Sequence, residues 1–251
     1  MAKLKEALDR GQFPVIVELK PPKGIDPKAL LSPLQALNGR VTAFGIPDNE
    51  HAKMRLSPLA AAKLVKEAGG EPMLHLTCRD RNRLALESEL LGAGALGIDN
   101  VLIISGDYVS QGDHPDAKPV YDADSVQLLQ IARGLMAGHD SAGNALAGAP
   151  QFCLGAVVIP EADPLGPQLL KIRKKIAAGA EFFITAPVYD LEKFRAFKAA
   201  LPPGDYKLLV GLKVPKPEEL ADAARGALKK VYSLPPAVVK ELSADQPEEE
   251  I

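Results

Sequence analysis

Short, almost purely apolar runs alternate along the chain with longer amphipathic stretches. Apolar runs of roughly four to eight residues, bounded by Gly, Pro and polar residues, are typical of strands buried in a parallel sheet. The stretches between them repeat apolar positions with helical spacing and often begin at Ser, Asp or Pro. The pattern predicts strands at residues 13–19, 41–46, 72–77, 100–104, 152–159, 182–185 and 207–212. It predicts helices at residues 27–37, 58–68, 81–95, 124–136, 164–178, 190–200 and 217–230, and a short one at 235–242.

This alternation of strands and helices favours an α/β fold of the TIM-type (βα) barrel class. We expect residues 1–242 to form one domain, and the acidic segment 243–251 to be a disordered tail. A closed barrel of this class needs about eight strands, so the last βα unit is expected to be absent. An open, doubly wound sheet is the alternative. The sequence has neither a GxGxxG nor a Walker motif to make such a sheet a nucleotide-binding one.

The composition limits the cellular environment and the classes of binding partner that we expect for the protein. The formal net charge is −2, which does not indicate nucleic-acid binding. Cys78 and Cys153 adjoin apolar runs and suit free thiols in a reducing cytosol, and no Cys/His cluster indicates a metal site. Residues 1–10 lack a signal sequence, and no stretch approaches the roughly 20 apolar residues that span a bilayer. We therefore expect a cytoplasmic protein that is not bound to a membrane.

Polar residues at the predicted strand ends are the candidate site residues, because βα barrels place their active sites there. Glu18 interrupts the first strand. Partial burial would raise the pKa of its carboxyl group and suit it to general acid catalysis, and a salt bridge at the strand end is the alternative. Asp107 follows Gly106 at the end of the fourth strand, where it either contacts a ligand or forms an ordinary turn. His75 lies within the third strand and is expected to line a pocket rather than to react.

Other polar segments could also bind a ligand. Residues 78–83 open a helix with three arginines, which suit either a bound phosphate or a solvated first turn. The loop at 112–121 is polar and broken by prolines, and long loops of this kind are often functional. Lys174 and Lys175 follow an apolar helix face, where they could reach a phosphate or stay solvated.

Taken in order, these motifs resemble those of the methylenetetrahydrofolate reductase family. The resemblance covers residues 1–242, and the segments that carry it are 17–22, 75–78, 105–107, 112–122, 173–180 and 187–190. It implies a βα barrel that holds FAD. It also implies hydride transfer from NAD(P)H, or from a redox partner protein, through the flavin to methylenetetrahydrofolate, which gives methyltetrahydrofolate.

The resemblance implies roles for individual residues. Glu18 corresponds to the general acid that helps to open the five-membered ring of the folate substrate to its reactive iminium. Asp107 corresponds to a residue beside both the flavin and the pterin. The positions that correspond to FAD contacts are His75, Gly106, Asp107, Tyr121 and Lys175.

Three departures from the family pattern leave alternatives open. A Thr-Gln pair that contacts folate in the family is here Thr185-Ala186, and a polar residue near the end of the fifth strand is here Ile159. The apparent loss of the last βα unit implies that a partner chain closes the gap or that the barrel stays open. We expect a homo- or hetero-oligomer. A non-catalytic paralogue within a one-carbon complex and a flavin-free pterin-binding barrel are the alternative functions.

Overall fold

Seven strands occur along the chain at the places that the apolar runs predict. The computed structural model describes residues 3–217, 220 and 234–244. The strands are β1 (Ile16–Glu18), β2 (Ala43–Ile46), β3 (Pro72–Thr77), β4 (Asn100–Ile104), β5 (Cys153–Val158), β6 (Phe182–Pro187) and β7 (Lys207–Gly211). They belong to one sheet, in which their order is the order of the chain. The predicted TIM-type (βα) class is confirmed, and the described residues contain no eighth strand.

Helices separate the strands. They are α1 (Lys3–Asp9), α2 (Lys28–Leu37), α3 (Pro58–Glu67), α4 (Arg83–Ala95), α5 (Ser125–Met136), α6 (Leu165–Ala177), α7 (Leu191–Ala200) and α8 (Pro236–Ala244). Most of the predicted helix at 217–230 lies outside the described residues, as do residues 245–251 of the predicted tail. In the part of the chain that the structure describes, no helix has the length and apolarity needed to cross a membrane.

The chain forms two compact units, and the first comprises residues 1–156 and 175–181. Its strands pair in parallel with a continuous register: Glu18 lies opposite Gly45, Gly45 opposite Met73, and Met73 opposite Asn100. Asn100 in turn lies opposite Cys153. Because the register is parallel, the loops that follow β1 to β4 all leave the same edge of this sheet.

Strands β2 and β3, and most of β4, are buried because helices cover them. Every side chain of β2 and β3 is buried, and α3 packs against both strands while α5 packs against β4. Helices α4 and α5 begin at polar caps that hold their first turns in place. Asp124 and Gln127 form a capping box at α5, and the Asn82 side chain accepts a hydrogen bond from the backbone of Ala85 at α4.

The second unit comprises the described residues among 157–174 and 182–244. In it β6 and β7 pair in parallel. Thr185 Oγ1 accepts a hydrogen bond of 2.9 Å from the backbone N–H of Gly211, and a Cβ at Gly211 would lie 2.4 Å from the carbonyl oxygen of Thr185. Ala186 is buried and Ile159 is half-buried. The hydroxyl of Thr185 is therefore used within this strand pair.

Candidate active site

The carboxyl-terminal ends of β1, β3 and β4 carry the predicted site residues of the first unit. Glu18 is the last residue of β1, and its side chain is exposed. The predicted partial burial of this carboxyl group is wrong, because β1 has only 3 residues and ends at Glu18. Asp107, beyond the end of β4, is also exposed, whereas His75 within β3 is buried. Two acidic side chains at the surface thus accompany one buried imidazole.

Glu18 and His75 approach each other over Gly45. A Cβ at position 45 would lie 2.9 Å from His75 Nε2 and 3.3 Å from Glu18 Cγ. Glycine at this place in β2 leaves room for both side chains on one face of the sheet. The sequence does not predict the role of Gly45 or the approach of Glu18 to His75. Both depend on the register between three strands.

His75 is a neutral imidazole with an unused nitrogen. The side chain is 4% exposed, and burial lowers its pKa from 6.5 to about 4. Nε2 is buried and has no hydrogen-bond partner among the residues that the structure describes. Buried polar atoms nearly always have a partner in the complete protein. His75 is therefore suited to hydrogen-bond a ligand at neutral pH, in line with the predicted pocket wall.

Gly106 and Asp107 are held by a tyrosine at the far end of their loop. Gly106 has a φ of 91°, and a Cβ there would lie 3.0 Å from the Cβ of Arg79. The Tyr121 hydroxyl donates to the carbonyl oxygens of Gly106 at 3.2 Å and of Asp107 at 3.1 Å. This bond closes the base of the loop that follows β4 and fixes the backbone on which Asp107 sits.

Arg79 is buried, so the interpretation of this arginine as part of a solvated first turn is wrong. Its guanidinium forms a fork with Asp80, in which Nε and Nη2 each lie 2.7 Å from a carboxylate oxygen. It also donates to the carbonyl oxygens of Asn49 at 3.2 Å and Asp107 at 3.3 Å. Arg79 therefore joins the loop after β2 to the loop after β4.

Asp48 is a buried carboxylate that the sequence reasoning missed. It accepts hydrogen bonds from the backbone N–H of Thr77 at 2.9 Å, from its hydroxyl at 3.0 Å, and from Arg81 Nη1 at 2.7 Å. The side chain of Asp48 is fully buried. An Asp two residues beyond the apolar run at 41–46 was the signal that could have identified it.

The predicted functional loop reaches across to the neighbouring loops. Asp113 accepts a hydrogen bond of 3.0 Å from the backbone N–H of Met54 and lies 2.5 Å from Lys23 Nζ. A Cβ at Gly112 would lie 1.8 Å from the carbonyl oxygen of Ala52, so the two loops are in backbone contact. The loop after β4 is thus tied to the loops after both β1 and β2.

The two lysines that end the apolar face of α6 differ in burial. Lys175 is 6% exposed and Lys174 is exposed. The alternative of a solvated helix face holds for Lys174 and is wrong for Lys175.

Comparison with known proteins identifies a family whose model matches this chain and several proteins with similar sequences. The family model for methylenetetrahydrofolate reductase matches residues 3–205. Methylenetetrahydrofolate reductase 2 of Schizosaccharomyces pombe is 26% identical over 192 residues, which are 70% of this chain and 28% of that protein. The 5,10-methylenetetrahydrofolate reductase of Pectobacterium carotovorum subsp. carotovorum is 28% identical over 206 residues, which are 78% of this chain and 64% of the relative. The chain therefore spans less than two thirds of the length of either relative.

Solved structures share the fold at low sequence identity. An uncharacterised Clostridium thermocellum protein that binds two copies of 5-methyl-5,6,7,8-tetrahydrofolic acid superposes with a TM-score of 0.58 at 16% identity, covering 97% of this chain and 80% of that one. Tryptophan synthase of Mycobacterium tuberculosis superposes with a TM-score of 0.52 at 14% identity, covering 88% and 82%. At these identities the likeness concerns the fold alone.

Proposed function

The chain belongs to the methylenetetrahydrofolate reductase family, and we propose that it reduces 5,10-methylenetetrahydrofolate to 5-methyltetrahydrofolate with FAD as its cofactor. The observation that carries the proposal is the meeting of Glu18 and His75 over Gly45. It brings a carboxyl group and a neutral imidazole nitrogen without a described partner to the edge where βα barrels hold their substrates. The relatives named above support the choice of substrate.

The residues of the first unit fit a bound flavin. Nε2 of His75 is buried and needs a polar partner, and Gly45 leaves the room that the His75 and Glu18 side chains occupy. We propose that His75, Gly106, Asp107, Tyr121 and Lys175 hold FAD. When bound, the flavin supplies the hydride-transfer chemistry, which no protein side chain can provide.

Glu18 is proposed to supply the proton that opens the substrate ring. It donates this proton to the substrate nitrogen whose bond to the bridging carbon breaks, so that an iminium forms on the other nitrogen. Its exposed position at the end of β1 lets the carboxyl group meet the substrate and regain its proton from solvent. Asp107 is proposed to contact both the pterin and the flavin from the neighbouring loop.

NAD(P)H and a redox partner protein are the two classes of electron donor that we propose, since neither needs a separate nicotinamide-binding fold when the donor meets the flavin directly. We also propose that the chain works as a homo- or hetero-oligomer. Leu212 and Val214, which follow β7 in the second unit, are 84% and 87% exposed. Large apolar side chains at the surface favour association with another chain.

A half-reaction tests the proposed function without knowledge of the electron donor. The full-length protein is incubated with FAD, freed of unbound flavin, reduced chemically under anaerobic conditions and mixed with 5,10-methylenetetrahydrofolate. We expect the flavin absorption in the visible range to return as 5-methyltetrahydrofolate forms. Failure to bind FAD refutes the proposal. FAD binding without reoxidation by the substrate refutes the reductase activity and leaves a binding role.

The second candidate is a non-catalytic paralogue within a one-carbon complex that has lost full pterin and flavin recognition. The strand pair of the second unit favours it. The Thr185 hydroxyl already accepts a bond from Gly211, and Ala186 has no amide group to offer a pterin edge. Isothermal titration with 5-methyltetrahydrofolate separates the two, because we expect the reductase to bind this product and the paralogue to bind it weakly or not at all.

Filling the gap at Gly45 is expected to weaken FAD binding. The added methyl of Gly45→Ala would come within 2.9 Å of His75 Nε2, and a buried imidazole has little freedom to move. Overpacking of this kind costs about 1–3 kcal/mol, and a cost of that size in binding corresponds to about 5- to 150-fold in affinity. Quenching of flavin fluorescence measures the affinity. Gly166→Ala is the matched control, since nothing lies within 4 Å of a Cβ there, and equal affinities of the two variants contradict the assignment.

A further inference from the structure

The loop between β2 and α3 has a rare backbone conformation. Asn49, His51 and Ala52 have positive φ angles of 45°, 56° and 56°, which residues with a Cβ seldom adopt. Such residues persist only where surrounding contacts hold them, and they concentrate at functional sites. Among these residues, His51 contacts a predicted site residue.

His51 directs its imidazole at the carboxylate of Asp107. The imidazole Nδ1 lies 3.5 Å from Asp107 Oδ2. The left-handed backbone at His51 thus accompanies an ion pair between the loop after β2 and the loop after β4. The hydrogen bond between the two side chains raises the pKa of His51 above 6.5 and lowers the pKa of Asp107 below 3.8.

Other charged groups extend this pair into a row. Nε2 of His51 lies 3.5 Å from Glu50 Oε1, and Glu50 Oε2 lies 2.7 Å from Lys20 Nζ. Arg79 donates to the carbonyl oxygen of Asp107. Glu50 and Asp107 favour the imidazolium of His51, whereas Lys20 opposes it. The row runs from the loop after β1 to the loop after β4 and ends at Asp107.

Residues other than His51 also connect the loop after β2 to the loop after β4. Gly112 lies against the carbonyl oxygen of Ala52, and Asp113 accepts a hydrogen bond from the backbone N–H of Met54. His51 is exposed, with 64% of its side chain accessible. Because other contacts hold the loops together, the histidine acts on the orientation of the Asp107 carboxylate rather than on the fold.

We propose that His51 is a positioning residue for Asp107, whose carboxylate its imidazolium holds in the orientation needed for reduction of the substrate. This inference rests on the proposed function, in which Asp107 contacts the flavin and the pterin. The imidazolium exists only below the pKa of His51, so the hold by the side chain is lost as the pH rises through that pKa. The reduction step is therefore expected to slow on the alkaline side of the His51 titration.

Histidine titration by NMR tests the pair without cofactor or substrate. The chain has 4 histidines, so single substitutions assign their imidazole signals. We expect His51 to titrate above pH 6.5 in the full-length protein, and at a lower pH in the Asp107→Asn variant. The signals of His139, in the connection between α5 and β5, control for changes that spread through the protein. An unchanged midpoint of His51 in Asp107→Asn overturns the inference whatever the activity.

The reduction half-reaction tests the role of the pair. His51→Gln keeps a polar side chain but removes the titrating group. We expect it to slow flavin reoxidation about 10- to 100-fold, as misplaced catalytic groups do, and to abolish the alkaline decline of the rate. Lys53→Gln removes a neighbouring charge from the same loop and is expected to keep the native rate and pH profile.

Two further outcomes separate the positioning role of His51 from the proposed reductase function. A native pH profile in His51→Gln overturns the positioning role. If the native protein binds FAD without reducing the substrate while NMR shows the pair, the proposed function fails and the pair of His51 and Asp107 still stands.

Discussion

Replacement of Glu18 by glutamine is expected to slow the reduction of methylenetetrahydrofolate by about 10²- to 10⁴-fold, the range that loss of a general acid commonly costs. Glutamine has nearly the shape of glutamate but cannot give up a proton to the substrate nitrogen. The Cγ of Glu18 borders the gap at Gly45, so the amide would occupy the same place without the same chemistry. We expect the substitution to lower the rate constant for reduction of the substrate. FAD affinity should stay the same, because the buried imidazole of His75 is unchanged.

The anaerobic half-reaction measures this effect directly. FAD affinity is determined first by fluorescence quenching, and the rate of flavin reoxidation by the substrate is then compared at equal flavin occupancy. Glu67→Gln, at an exposed ion pair with Lys63 on α3, is the matched control and is expected to keep the native rate. A Glu18→Gln rate within about threefold of the control contradicts the role of Glu18 as the acid.

The strands and helices were predictable because the strands are buried. Every side chain of β3 is buried, so its apolar run and the strand coincide at residues 72–77. The first strand is shorter than the predicted 13–19, since Phe13 is 93% exposed and lies before β1. An apolar side chain in solvent looks the same in the sequence as one in the core. Hydrophobic pattern thus predicts elements better than it predicts their ends.

The candidate site was predictable only in part. Strand-end position identified Asp107, and a polar residue that interrupts an apolar run identified His75, because both signals are visible in the sequence. The exposure of Glu18 and the burial of Arg79 run against the sequence-based expectations. The burial of Arg79 depends on contacts with residues distant in the chain, such as its bond to the carbonyl oxygen of Asn49. Pairing between loops of different strands carries no local signal in the sequence.

Removal of the Asp48 carboxylate is expected to cost the protein much of its stability. In Asp48→Ala the backbone N–H and hydroxyl of Thr77 lose their acceptor inside the core, and Arg81, which is 17% exposed, loses its nearest carboxylate. Breaking a buried ion pair from one side costs about 3–5 kcal/mol, because a buried charge is left without compensation. The weaker contact of Arg81 with Glu89, at 3.8 Å, is too distant to replace it.

Urea unfolding of the full-length protein measures this loss as a change in the free energy of unfolding. Asp122→Ala is the matched control, because Asp122 also forms a fork with an arginine, Arg83, but both side chains are substantially exposed. Water can solvate what that substitution leaves behind, so its loss should be much smaller. Asp48→Asn is expected to fall between the two, since its amide oxygen can still accept from Thr77 while the charge pair with Arg81 is gone. Equal losses in Asp48→Ala and Asp122→Ala would mean that the burial of Asp48 does not determine its contribution.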